Sequence, residues 1–246
     1  MSELRAPGAL RAISFDFWDT LYDGAATPER IEFRRAALRR LVEELGHPVS
    51  EDDFLAAYRA SGKEAERWWR EEQRGYHTRD RIRWVLDRLG VTAADDCAPM
   101  HAAVRAVDEA LERYPSPLLP GAADMVHRLA ERYRLVIVSD TGFASGQAQD
   151  RLLERDGLLP LFAATVYSMD IGHCKPRPEP FAAALDALSL APAQVLHVGD
   201  NERTDVAGAL AVGMRAARLD VVRQNGSSAA ELVARTFEEL EEHLES

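Results

Sequence analysis

The stretch Ala12-Ile13-Ser14-Phe15-Asp16-Phe17-Trp18-Asp19-Thr20-Leu21-Tyr22 decides the reading of this chain. A β-leaning apolar run ends in two acids with a tryptophan between them, and then come a hydroxyl and more apolar residues. A strand that delivers a carboxylate at its C-terminal end places it where open α/β sheets bind their ligands.

The segment beyond that strand is of a different kind. Residues from about 24 to 115 read as helical, with no convincing strand among them. Thr27-Pro28-Glu29 marks a helix start with proline in the first turn, and an apolar stripe through Leu38, Leu41, Val42 and Leu45 runs to Gly46. Ser50-Glu51-Asp52-Asp53 opens a second helix, running on or breaking near Gly62 ahead of Trp68-Trp69. Thr78 is placed to cap a third, ended by Gly90, and a fourth spans about 93–114. Pro115-Ser116-Pro117-Leu118-Leu119-Pro120-Gly121 then breaks the pattern. Beyond it, helices near 121–133, 145–155, 178–189 and 203–212 alternate with apolar strands at 135–139, 164–167, 194–198 and 215–219, and 229–244 reads as an acidic amphipathic helix. Alternation of this kind indicates βαβ units and a parallel sheet. The expectation is a Rossmann-like α/β core with helices on both faces, formed by 1–23 and 116–246, and an inserted α-helical domain over 24–115.

Bulk properties bound the function. With 246 residues, 46% hydrophobic and 29% charged, the chain is long enough to bury a sizeable core. The net charge of -11 argues against non-specific nucleic-acid binding and against docking on anionic membranes. An anionic small substrate remains compatible, because a metal or a local arginine cluster inverts the sign of a pocket. Met1-Ser2-Glu3-Leu4-Arg5 carries an acid with no long apolar segment behind it, and Cys97 and Cys174 lie far apart, so a cytoplasmic protein with reduced thiols is expected. Lysine occurs only at Lys63 and Lys175 among 30 basic residues. In so arginine-biased a chain, a retained lysine hints at a site that needs a compact point charge.

Three further stretches put polar groups at the ends of expected strands: Val138-Ser139-Asp140-Thr141-Gly142, Gly172-His173-Cys174-Lys175-Pro176-Arg177-Pro178, and Val198-Gly199-Asp200-Asn201-Glu202-Arg203-Thr204-Asp205. Together with the first stretch, and in this order, they resemble the four motifs of the haloacid dehalogenase superfamily of hydrolases, subfamily I, whose C1-type helical cap is inserted where the helical segment lies here. The resemblance implies that Asp16 is a nucleophile forming a covalent aspartyl intermediate, and that Ser139 and Lys175 hold phosphoryl oxygens or the nucleophilic carboxylate. It implies Mg²⁺ held by Asp16, the Trp18 carbonyl and Asp200, with Asp205 completing or supporting the shell. Thr20, Asp140, Trp18 and Asp19 are placed beside the substrate. His173 and His197 read as a loop residue and a core residue. Four acids converging on one crevice repel one another, which itself argues for a metal.

One position departs from the pattern. Phosphatases of the superfamily usually carry a second aspartate two residues after the nucleophile, to protonate the leaving alcohol; here that position is Trp18. Asp19 is one residue further on, and on a strand it faces the other way unless the backbone turns. The expected activity is a Mg²⁺-dependent phosphatase acting on a small, anionic substrate. The alternatives are a hydrolase resembling 2-haloacid dehalogenases, which expel halide from carbon, and a binding protein that retains the fold but turns over poorly. Resemblance to phosphonoacetaldehyde hydrolases, which use a cap lysine, would call on Lys63, for which a surface position is the simpler expectation.

Overall fold

The computed structural model describes residues 9–223 and 226–245; the N-terminal reading of Met1 to Arg5 lies outside them. In chain order the elements are β1 (Ala12–Phe15), α1 (Pro28–Glu44), α2 (Glu51–Arg67), α3 (Thr78–Arg88), α4 (Ala98–Arg113), α5 (Ala122–Ala130), β2 (Arg134–Ser139), α6 (Gly146–Arg155), β3 (Phe162–Tyr167), α7 (Ser168–Ile171), α8 (Pro178–Leu188), β4 (Val195–Gly199), α9 (Ala207–Ala211), β5 (Arg215–Leu219), β6 (Leu232–Ala234) and α10 (Phe237–Glu245).

The six strands form one sheet in the order β3-β2-β1-β4-β5-β6, with every pair parallel. β1 is buried at all four positions, as a strand covered on both faces must be. Ile13 and Phe15 face a cluster with Met125 and Val126 of α5, Leu152 of α6 and Leu240 of α10. Ala12, Val136 and Val138 face Phe181, Ala184 and Leu188 of α8 and Ala209 of α9 on the other side. Strand order runs backward from β1 through β2 to β3 and forward from β4, so the chain reverses direction across the sheet at β1 and β4. The crevice beyond the strand ends at such a switch is where α/β sheets bind ligands.

The four helices α1–α4 have a separate core in which Leu38, Leu41, Phe54, Ile82, Val85 and Val107 meet. Phe143, from the loop after β2, is buried in that same cluster. Three local expectations are corrected. The stretch 229–244 is not one helix: Leu232–Ala234 pairs with Ala217–Leu219 at the sheet edge, and the helix begins only at Phe237. The sheet edge outcompetes helix propensity because it satisfies β5's outer backbone groups. Thr78 does not cap α3. His77 is the cap residue, and the Thr78 hydroxyl donates to Phe143 O at 2.9 Å. The expected helix at 203–212 begins as a wider π turn over Glu202–Val206 and becomes α-helical only at Ala207.

Candidate active site

The register brings three strand ends side by side, since Phe15 pairs with Ile137 on one side and with Val198 on the other. Asp16 N–H donates to Val198 O at 2.8 Å, extending the ladder by one step, and its carboxylate emerges at the end of the sheet. Lys175, delivered by the loop before α8, is fully buried. Its Nζ lies 2.7 Å from Asp16 Oδ1 and 2.6 Å from Asp205 Oδ1. Asp205 also accepts from His197 Nε2 at 3.2 Å through Oδ1 and from Asn201 N–H at 3.0 Å through Oδ2. His197 Nδ1 meets Ser14 Oγ at 2.9 Å. Burial pushes the imidazole below its usual pKa, so it is neutral, and the network assigns its proton to Nε2, facing Asp205. His197 is thus a core residue, as expected, that also braces Asp205.

The charges are unbalanced. Burial, reinforced by Asp205 and Asp200, raises the Asp16 carboxyl well above the ordinary range against the pull of Lys175. Asp200 is pushed up to about 7 by burial, then by Asp205 and Asp19. Burial also raises Asp140. Asp205 is held below the usual carboxylate range: burial works against this, but Lys175 and His197 outweigh it. Lys175 keeps its proton, because the adjoining carboxylates more than offset its own desolvation. One ammonium does not neutralise this many buried acids. Ligand oxygens of Asp16, Asp200 and Asp205 lie within 4.8 Å of one another, an all-oxygen donor set of the kind a hard divalent cation takes.

A cavity of about 250 Å³ opens over this cluster, with Asp16, Asp140, Lys175 and Asp200 at its floor. Trp18 and Asp19 also line it. Asp19 sits in the left-handed region at φ 56°, the turn needed to bring it round to the crevice. Its Oδ1 accepts from Gly24 N–H at 2.9 Å and its Oδ2 from Arg223 Nη2 at 2.5 Å. Asp140 accepts on both oxygens, from Trp69 Nε1 at 2.7 Å and from Lys175 N–H at 3.1 Å. Besides Asp205, buried against Lys175 Nζ, two expected site residues stand back from the cavity. The Ser139 hydroxyl is buried and donates to Gln149 Oε1 at 2.8 Å, shoring up the loop that carries Asp140. Thr20 is folded under the turn, because the Leu21 and Tyr22 amides both return to Phe17 O at 3.0 Å. Its buried Oγ1 has no hydrogen-bond partner among the described residues.

The helical layer supplies groups that the motifs did not announce. Of the adjacent tryptophans, Trp68 packs inward with Ala65 and Tyr76, while Trp69 lines the cavity, with the Arg203 guanidinium 4.6 Å above its ring. Gln73–Gly75 is strapped to the loop before Lys175: Cys174 N–H donates to Gln73 O at 2.9 Å and Gly75 N–H to Gly172 O at 3.0 Å. Arg223 carried no signal in the sequence, since it lies in a loop after β5 and reaches Asp19 only through the fold. Lys63 is exposed on α2 and lines no part of this cavity. Among the described residues no helix is long and apolar enough to cross a membrane.

Comparison with known proteins agrees with this geometry. A model of the haloacid dehalogenase-like hydrolases matches residues 10–213. The chain is 30% identical to the 5-amino-6-(5-phospho-D-ribitylamino)uracil phosphatase of Escherichia coli, over 86% of this chain and 84% of that one. It is 31% identical to a phosphoserine phosphatase of Thermus thermophilus, over 76% of this chain and 70% of that protein. Among solved structures, a 2-haloacid dehalogenase of Pseudomonas syringae superposes with a TM-score of 0.68 at 25% identity, covering 96% of this chain and 98% of that one. Sheet order, inserted helices and sequence together identify the chain as a hydrolase that belongs to the haloacid dehalogenase-like family.

Proposed function

We propose that the protein is a Mg²⁺-dependent phosphatase that attacks a small, anionic phosphomonoester through Asp16. The observation that carries this reading is the buried Asp16–Lys175–Asp205 chain beside Asp200, whose excess negative charge calls for a divalent cation. Asp16, Asp200 and the Trp18 carbonyl would hold Mg²⁺, with Asp205 supporting from behind, because its oxygens already serve Lys175, His197 and Asn201. The bound ion would neutralise the phosphoryl oxygens and keep the nearby carboxylates ionised. Lys175 orients the Asp16 carboxylate for attack and screens it from Asp205. Asp140 fixes the Lys175 backbone and the Trp69 ring, and so sets the wall against which the substrate lies. Ser139 acts through Gln149 and the Asp140 loop rather than by touching substrate.

In this reading 24–115 forms the cap and the flanking segments 1–23 and 116–246 the catalytic core, in the cytoplasm. Both relatives, the Escherichia coli and the Thermus thermophilus proteins, are named phosphatases, which supports phosphorus over carbon as the centre attacked. Hydrolysis at carbon is the second reading, favoured by Trp18 at the position of the usual acid and by the likeness to the 2-haloacid dehalogenase. The test is release of inorganic phosphate from phosphomonoesters with Mg²⁺ and with a chelator, beside halide release from 2-haloacids. Mg²⁺-dependent phosphate release abolished by Asp16→Asn supports the proposal. Halide release without metal overturns it.

A further inference from the structure

Two of the carboxylates that line the cavity are committed as acceptors on both oxygens. Asp140 takes Trp69 Nε1–H on one oxygen and Lys175 N–H on the other. Asp19 takes Gly24 N–H and Arg223 in the same way. With both oxygens taken up by donors of the walls, neither carboxyl has an oxygen free to face a leaving group. Lys175 holds its proton between Asp16 and Asp205. Cys174 S–H is directed at Arg74 O, 3.2 Å away, and burial pushes its pKa up to about 12. With Mg²⁺ bound as proposed, Asp200 belongs to the cation. The walls, meanwhile, are aromatic: the indoles of Trp18 and Trp69 and the ring of Tyr76 all line the same space. A cavity of roughly 150 Å³ holds a benzene ring, which leaves about 100 Å³ of this one for a phosphoryl group.

Resting on the phosphatase reading, we propose that the substrate class is aryl phosphates, whose leaving group departs without a proton and stacks against Trp18 and Trp69. The steps balance without a general acid. An Asp16 carboxylate oxygen bonds to phosphorus as the P–O(aryl) bond breaks, and the aryl oxygen leaves with the bonding pair as an aryloxide, which takes its proton from solvent. Water then attacks phosphorus, the aspartyl O–P bond breaks, and its electron pair returns to the Asp16 carboxylate. The water's proton passes to phosphate or solvent. Net, one aryl phosphate and one water give a phenol and inorganic phosphate.

The experiment measures kcat/KM with Mg²⁺ for a series of substituted phenyl phosphates, an alkyl phosphate and acetyl phosphate. The expected result is a steep fall as the leaving group becomes more basic, with the alkyl ester down about 10²–10⁴-fold, the usual worth of a general acid. Acetyl phosphate, activated but without a ring, is expected to trail nitrophenyl phosphate, and Trp18→Asp to raise alkyl turnover. Alkyl and aryl esters turning over within tenfold of each other would overturn the inference while leaving the phosphatase reading intact. A loss of that alkyl activity in Tyr76→Phe would name Tyr76 as the donor. Acetyl phosphate matching the nitrophenyl ester would overturn the aromatic recognition. No phosphate release from any ester would overturn the phosphatase reading itself.

Discussion

Replacing Lys175 by methionine tests the centre of the site. The unbranched side chain is kept to within one atom, but the ammonium that lies 2.7 Å from Asp16 and 2.6 Å from Asp205 is gone, and two buried carboxylates are left facing each other. Breaking a buried ion pair from one side costs about 3–5 kcal/mol. For a chain of this size, each kcal/mol lowers the melting temperature by roughly 2–4 °C, so a fall of about 6–20 °C is expected.

The effect has a definite sign with pH. In the wild type Asp205 sits below the usual carboxylate range, so its stabilising contribution is present above the unfolded carboxylate value and is lost only in strong acid. In the variant the lowering charge is absent, and burial with mutual repulsion raises both carboxyls. The deficit therefore opens as pH climbs past about 4, the unfolded aspartate value, and is largest once both groups ionise. Thermal denaturation of both proteins without divalent cation, at about pH 4.5 and about pH 8, reads the gap directly. Adding Asp16→Asn to the variant removes one of the opposed charges and recovers part of the loss at the higher pH. A variant melting within about 2 °C of wild type at both pH values, below the smallest expected fall, refutes the reasoning.

Three further outcomes are expected. Trp69→Phe keeps a ring but loses the N–H donated to Asp140, a bond to a charged group worth about 1.5–3 kcal/mol, so kcat/KM falls by roughly tenfold or more. A double-mutant cycle with Asp140→Asn checks that the two losses are not additive. Gly75→Ala places a Cβ on the Ser168 carbonyl and forces the strap apart, with an overpacking cost of about 1–3 kcal/mol and faster proteolysis near residue 75, both measurable on the purified protein. Alkylation with iodoacetamide at about pH 8 labels half-exposed Cys97 and spares Cys174, whose thiolate fraction is then only about 10⁻⁴; peptide mapping before and after unfolding reads the difference.

The α/β architecture was legible in the residues, and so were the acids and the lysine that the fold sets near the strand ends. Apolar runs spaced by helical stretches point to a parallel sheet, and β2, β4 and β5 lie within a residue of where the pattern put them, because strands covered on both faces are largely apolar. Asp16, Lys175, Asp200 and Asp205 were legible in three of the four short stretches that follow one another in a fixed order, and the scarcity of lysine pointed to Lys175 before any geometry did. The edge strand β6 was not legible, since Leu232–Ala234 is too short to carry a period and becomes a strand only by pairing with β5. Nor could the sequence say where side chains point. Thr20 and Ser139 turn into the interior because neighbouring amides and Gln149 claim that geometry. Arg223 reaches the site from a distant segment that carries no motif, and of the adjacent tryptophans, which must point different ways, only the fold selects Trp69. The fate of Asp19 was likewise a tertiary matter. A left-handed turn brings its carboxylate round to the cavity, and there Gly24 and Arg223 hold both oxygens, so the acid after Trp18 is present but occupied.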